Sequence, residues 1–145
     1  MGLDYTGQTL MIDSNCFIYL IEGECYPLFL PRVERLFRAV SEGQSMALTS
    51  PITLTEVMTR PRKMGQEDLA YTYKALITNF PNLNIIPIDN NIADRAAALR
   101  GLYGLKTPDA LQLATGLVNR ATRFVTFDRE FRKLPPLMNV LIPGE

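Results

Sequence analysis

The sequence predicts an α/β domain with a mainly parallel central sheet of about four to five strands and helices on both faces. Short apolar segments of strand length alternate along the chain with longer segments of helical periodicity, as is typical of parallel α/β folds. No internal repeat, low-complexity tract or linker interrupts this alternation. A chain of 145 residues with 47% hydrophobic side chains can bury one core, so we predict a single domain over residues 1–145.

The predicted strands are short runs in which apolar residues dominate. In chain order they cover residues 9–12, 45–49, 84–88, 123–126 and 140–142. Pro87 cannot donate a hydrogen bond to a neighbouring strand, so it places the third strand at an edge of the sheet or marks the strand's end.

The predicted helices lie between these strands. They cover residues 15–21, 27–42, 53–58, 66–79, 91–103 and 107–119, followed by a helical turn over 128–131. Gly43 follows the second helix as a typical C-terminal glycine. Thr107 and Pro108 supply an N-cap and a first-turn proline to the sixth. Pro61 ends the third, because a residue before proline is pushed out of the α region, and residues 60–65 then form an exposed basic loop.

The composition excludes several functional classes. Histidine is absent, which removes Ser-His-Asp and Cys-His catalysis and histidine-bound zinc. Cys16 and Cys25 form neither a zinc motif nor a disulfide framework, and we expect free buried thiols. The 15 basic and 15 acidic residues balance, which argues against a broad basic nucleic-acid surface. Without a spanning segment or a signal peptide, the expected location is the cytoplasm, with no membrane contact.

Four acidic residues are predicted to meet at one rim of the sheet. Asp13 directly follows the first strand, Asp128 follows the fourth, Asp109 lies in the first turn of a helix, and Glu56 lies in the helix after the second strand. The carboxyl ends of parallel strands share one rim, where ligands bind. Two carboxylates about 5 Å apart repel by roughly 3 kcal/mol at an effective dielectric of 20, so such a cluster calls for protonation or a cation. Oxygen-only ligands suit Mg²⁺ or Mn²⁺. Taken singly, each acid is equally explained by helix capping or by solvent exposure.

Four segments together resemble the PIN-domain family, especially VapC-type toxins of bacterial toxin–antitoxin pairs. The segments are MIDSNCFIYLIE, TLTEVMTRP, LKTPDALQLATG and FVTFDREF. The resemblance extends from about residue 9 to residue 142. It implies a three-layer α/β/α sandwich, Mg²⁺- or Mn²⁺-dependent endoribonuclease activity on RNA, a homodimer, and an antitoxin partner that blocks the site.

The resemblance also assigns roles to individual residues. The family's four acidic positions correspond to Asp13, Glu56, Asp109 and Asp128, which would bind the metal and support catalysis. Its neighbouring polar positions correspond to Ser14, Asn15 and Thr126, as groups that orient the acids or a water. Capping of the first helix is an alternative role for Ser14 and Asn15.

Four basic residues lie near the acids in sequence and are candidates for contact with RNA phosphates. They are Arg60, Arg62, Lys63 and Lys106. Ordinary solvent exposure is the alternative explanation for such residues.

Two other functions stay open at this stage. A strand that ends in Asp13 also suits an aspartyl-phosphate phosphatase, although such enzymes usually carry a second acid where Asn15 stands. The second alternative is a non-catalytic domain that binds RNA or protein.

Overall fold

A five-stranded parallel sheet forms the centre of the computed structural model, which describes residues 4–145. The strands are β1 (Thr9–Ile12), β2 (Met46–Thr49), β3 (Leu83–Ile85), β4 (Arg123–Val125) and β5 (Val140–Leu141). They lie in the order β3-β2-β1-β4-β5, and each neighbouring pair is parallel. The predicted parallel sheet is therefore confirmed, with β3 at an edge and Pro87 beyond its end.

In the part of the chain that the structure describes, six α-helices connect these strands. They are α1 (Ser14–Ile21), α2 (Leu30–Ser41), α3 (Pro51–Lys63), α4 (Glu67–Asn79), α5 (Asn90–Tyr103) and α6 (Thr107–Val118). Short 3₁₀ turns cover Gly23–Cys25, Arg129–Lys133 and Pro136–Met138. Within residues 4–145, none of the helices has both the length and the apolar character needed to cross a membrane.

The helices form a layer on each face of the sheet, because successive side chains of a strand point to opposite sides. Leu10 and Ile12 of β1 belong to one buried cluster, which also contains side chains of α1, α2, α3 and α4. Met11, between them, belongs to the other cluster, with α5 and α6. The expected three-layer α/β/α sandwich is confirmed.

The prediction that a helix stops before Pro61 was wrong. Helix α3 continues to Lys63 with Pro61 inside it and buried, so residues 60–63 are helical and do not form a loop. A proline this close to the helix end removes a single backbone hydrogen bond, and burial of its ring offsets part of that loss. The chain turns instead at Gly65, whose φ is 71°. The next residue, Gln66, closes the turn with a hydrogen bond from its amide to the Pro61 carbonyl (2.7 Å).

Three smaller predictions also need correction. Lys106, rather than Thr107, is the N-cap of α6, because the Lys106 carbonyl accepts the first helical hydrogen bond from the Ala110 amide. Helix α2 begins at Leu30, after a turn, and not at residue 27. Cys16 is buried as expected, but Cys25 is exposed in its 3₁₀ turn.

Candidate active site

The first acid, Asp13, lies at the carboxyl rim of the sheet between two adjacent strands. Strands β1 and β4 pair with Ile12 opposite Val125, so Asp13 and Thr126 leave the sheet side by side. The Thr126 hydroxyl donates a hydrogen bond to Asp13 Oδ2 (2.8 Å). The Ser14 amide donates to Oδ1 (2.9 Å), which makes Asp13 the N-cap of α1 as well as a member of the acidic group.

Burial makes Asp13 an unusual carboxyl group, since only 7% of the residue is exposed. Its pKa is raised from 3.8 to about 6, and burial is the largest cause. The charges of Glu56 and Asp109 raise it further, whereas the hydrogen bonds from Thr126 and the Ser14 amide oppose the rise. The chain therefore holds a carboxylate where its negative charge is costly.

The second acid, Glu56, reaches the rim from α3. Ser50 caps the start of this helix, where its side chain accepts from the Ile52 amide (3.1 Å). Ser14 Oγ donates to Glu56 Oε1 over 2.5 Å, so the residue next to Asp13 joins two of the acids. Ser14 therefore contacts Glu56, and Asp13 rather than Ser14 caps α1.

The other two acids, Asp109 and Asp128, lie together on the far side of Asp13. Both are partly buried and line an open cleft of about 410 Å³. Burial raises the pKa of Asp109, the charges of Asp128 and Glu56 raise it further, and Lys106 opposes the rise. Asp128 also caps the turn Arg129–Lys133, where it accepts a hydrogen bond from the Glu130 amide (3.0 Å).

The fully buried hydroxyl of Thr126 connects the two sides of the site. It accepts hydrogen bonds from the Asp128 amide (3.0 Å) and from Asn15 Nδ2 (3.1 Å) while it donates to Asp13. Asn15 Oδ1 accepts from the Phe127 amide (3.1 Å). Asn15 and Thr126 thus fix the segment after β4 against the start of α1, and Asn15 does not cap the helix.

The sequence analysis missed Gln112, which is 1% exposed and supports Asp13 from behind. Its Nε2 donates to Thr53 Oγ1 (2.8 Å) and lies 3.4 Å from Asp13 Oδ1. Its Oε1 accepts from Ser50 Oγ over 2.5 Å. A signal was present, because Gln112 follows Asp109 by three residues on a mainly apolar helix and therefore shares its face.

The four basic candidates occupy different places. Lys106 lines the same cleft as Asp109 and Asp128. Arg60 follows Glu56 by four residues on α3, and Lys63 by seven, so both lie on the side of the helix that carries Glu56. Arg62 lies on another side, where it is paired with Glu67 at 2.6 Å.

The chemistry of the donor set suits a hard divalent cation. All four candidate ligands are carboxylates, and the charges of their neighbours raise the pKa of two of them, which is the situation a cation relieves. Within residues 4–145, no three acidic or thiol side chains are already gathered tightly enough to enclose a metal ion. Repulsion between carboxylates opposes such closure in the absence of a cation.

Fold and site together define an α/β/α domain with an acidic group at the carboxyl rim of a parallel sheet. The family model of the PIN domain matches residues 10–136. The chain therefore belongs to the PIN-domain family. Comparison with curated protein sequences gave no match.

Solved structures agree with this assignment. A toxin–antitoxin complex from Klebsiella pneumoniae is 33% identical, with a TM-score of 0.68, over 94% of this chain and 98% of that chain. VapBC2 from Rickettsia felis, bound to a promoter DNA fragment, is 15% identical, with a TM-score of 0.75, over 94% and 99%. DNA-bound VapBC from Salmonella typhimurium is 16% identical, with a TM-score of 0.72, over 93% and 97%. The predicted resemblance to VapC-type PIN domains is confirmed.

Proposed function

We propose that this protein is a Mg²⁺- or Mn²⁺-dependent endoribonuclease that hydrolyses RNA phosphodiester bonds. The observation that carries the proposal is the burial of Asp13 at a rim that also holds Glu56, Asp109 and Asp128. A buried charge among like charges destabilises a fold, so its presence is best explained by a bound cation. The family assignment supports the same conclusion.

Asp13, Glu56, Asp109 and Asp128 would hold one or two cations, directly or through water. The cation would supply an activated water and neutralise the charge that develops on the phosphoryl group. Asp13 is the most rigidly held of these ligands, because Thr126, the Ser14 amide and Gln112 surround its two oxygens.

The surrounding residues would orient the acids and the RNA. Ser14 holds Glu56 toward Asp13, and Thr126 with Asn15 keeps the segment that carries Asp128 in place. Lys106 provides a positive charge in the cleft beside Asp109, where a phosphate could approach the acids.

A role as the toxin of a type II toxin–antitoxin pair follows from the relatives. The Klebsiella pneumoniae structure, which is 33% identical, is described as a toxin–antitoxin complex. We propose by analogy that a small antitoxin binds this protein and blocks its site, and that the protein acts as a homodimer in the cytoplasm. Co-expression with the product of a neighbouring gene, followed by co-purification, tests the partner, and sedimentation tests the dimer.

Cleavage assays on single-site variants test the ribonuclease proposal. We expect Asp13→Asn and Asp109→Asn to lose cleavage of RNA at least 100-fold, whereas Glu42→Gln, an exposed charge change at the C-cap of α2, retains it. EDTA should abolish cleavage, and Mg²⁺ or Mn²⁺ should restore it. Full metal-dependent activity of Asp109→Asn would refute the assignment.

The two alternatives predict different results. A binding domain without catalysis would show no binding of Mn²⁺ by calorimetry. The phosphatase alternative requires trapping of a phosphorylated Asp13. Asn15 stands where such phosphatases usually carry a second acid. Its carboxamide cannot act as an acid, and it is already hydrogen-bonded to Thr126 and to the Phe127 amide.

A further inference from the structure

A second charged group lies at the same rim of the sheet as the four acids. Strand β5 pairs with β4 and ends at Leu141, so residues 142–145 leave the sheet beside Thr126, whose amide donates to the Leu141 carbonyl (3.0 Å). The last of these residues, Glu145, turns its side chain toward the turn that follows Asp128.

Three arginines surround the Glu145 carboxylate, and we name Arg32, Arg129 and Arg132 the arginine cradle. Arg129 donates to Glu145 Oε2 over 2.6 Å, and Arg132 donates to Oε1. Arg32 lies 3.5 Å from Oε2. Three guanidinium groups therefore face one side-chain carboxylate.

Arg32 lies on α2, and contacts with two aromatic rings and one backbone carbonyl fix the orientation of its side chain. Its guanidinium lies over the rings of Phe29 and Phe127, at 5.4 and 5.2 Å from their centroids. Its Nε donates to the Pro143 carbonyl over 2.6 Å. The guanidinium is thus preorganised rather than free in solvent, as a recognition site for an anion requires.

The arginine cradle is continuous with the proposed active site. Phe127 and Arg129 are the two neighbours of Asp128 in the chain, and the Phe127 amide is held by Asn15. Asp128 and two arginines of the cradle, Arg129 and Arg132, therefore belong to one short segment of the chain, so an RNA strand bound at the acids would have this segment beside it.

We propose that the arginine cradle binds a phosphate group of the RNA substrate and that the Glu145 carboxylate occupies this site when RNA is absent. The proposal rests on the ribonuclease function proposed above. A planar guanidinium binds carboxylate and phosphate oxygens with the same geometry, so a glutamate side chain is a suitable substitute for a phosphate. RNA must displace Glu145, which therefore weakens RNA binding.

Binding of RNA by Glu145→Gln tests this inference. The Asp109→Asn background prevents cleavage, and Glu42→Gln in the same background changes net charge equally without touching an arginine. We expect Glu145→Gln to lower the Kd for a single-stranded RNA about fivefold at low salt, as loss of a competing ion pair implies. The slope of log K against log salt should steepen by about 0.7, the value for one further phosphate contact. Adding Arg129→Gln should reverse both effects.

A second measurement does not depend on RNA. Titration with pyrophosphate should shift the arginine Nε–Hε NMR signals of Arg32 in Glu145→Gln at a lower concentration than in the unmodified protein. If the signals shift but no variant binds RNA, the arginine cradle is an anion site. That result would contradict both the proposed ribonuclease function and the assignment of RNA as the ligand of the cradle. Tighter binding of an acidic peptide than of RNA or pyrophosphate would overturn the phosphate assignment in favour of a protein partner.

A purely structural role for Glu145 predicts the opposite pattern. The melting temperature of Glu145→Gln would then fall, while its Kd for RNA and its salt slope stayed equal to those of Glu42→Gln. That result would overturn the proposal.

Discussion

Replacing Asp13 with asparagine removes the charge whose burial costs this fold most, and its effect on stability can be worked out from the structure. The folded-state pKa of Asp13 is raised to about 6, compared with 3.8 for an unhindered aspartate. The folded protein therefore binds more protons than the unfolded chain between these two values. The contribution of Asp13 to the free energy of unfolding is therefore fully present below about pH 4 and is lost as the pH rises through this window.

The loss of stability at neutral pH can be calculated from the rise in the pKa of Asp13. About two pKa units, at roughly 1.4 kcal/mol each, correspond to about 3 kcal/mol of lost stability at neutral pH. Asparagine carries no charge and avoids this loss of stability, but it breaks one hydrogen bond. Thr126 donates to Asp13 Oδ2 and already accepts from Asn15 and the Asp128 amide, so an asparagine NH₂ group leaves its hydroxyl without an acceptor. We assign about 1 kcal/mol to that loss.

Asp13→Asn should therefore be about 2 kcal/mol more stable than the unmodified protein at pH 7.5 in EDTA. For a domain of this size the corresponding rise in melting temperature is about 6 °C. Urea unfolding between pH 4 and pH 7.5 measures the difference, which should shrink toward pH 4 and change sign there. Mg²⁺ should stabilise the unmodified protein and have no comparable effect on the variant.

Asp89→Asn is the control, because Asp89 is also an N-cap aspartate, at the start of α5, where it accepts from the Ile92 amide, but it is exposed. Asparagine and aspartate cap helices about equally well, so we expect its stability to change by less than about 0.5 kcal/mol. A lower stability of Asp13→Asn at pH 7.5, with an unchanged pH dependence between 4 and 6, would refute the reasoning.

Four further substitutions test the residues that support the site and the packing of the core. Ser14→Ala removes the hydroxyl that holds the carboxylate of α3, so affinity for Mn²⁺ should fall about tenfold by calorimetry; equal affinity would show that this hydrogen bond does not position a ligand. Gln112→Leu removes one hydrogen bond from each of two buried hydroxyls and should destabilise the protein by roughly 1–3 kcal/mol in urea. Wild-type stability would argue against the buried network. Gly116→Ala places a β-carbon 2.9 Å from Met11 Cβ and should lower the free energy of unfolding by about 1–3 kcal/mol. Gly101→Ala has open space around it and should stabilise α5 by up to about 1 kcal/mol. Equal melting temperatures for the two alanine variants would contradict this account of packing.

The sequence by itself determined the sheet and the rim. Alternating short apolar runs and helical segments predict parallel strands, and parallel strands bring Asp13 and Asp128 to one edge whatever the details of packing. Both acids come shortly after the end of a strand, and the hydrophobic pattern of the strand is enough to predict that such a residue lies at the rim. For Asp109 and Glu56 the sequence predicts only that the helix carrying each acid lies near the rim, because position on a helix does not tell which face meets the sheet. The family motifs add support for these two residues.

Only the tertiary structure decided which side chains touch. The bond from Ser14 to Glu56, the support of Asp13 by Gln112, and the arginines around Glu145 each join elements far apart in the chain. Such contacts depend on helix rotation and side-chain rotamers, which local sequence patterns do not encode. The same reason applies to Pro61, whose local preference ends a helix but which the tertiary structure buries inside α3.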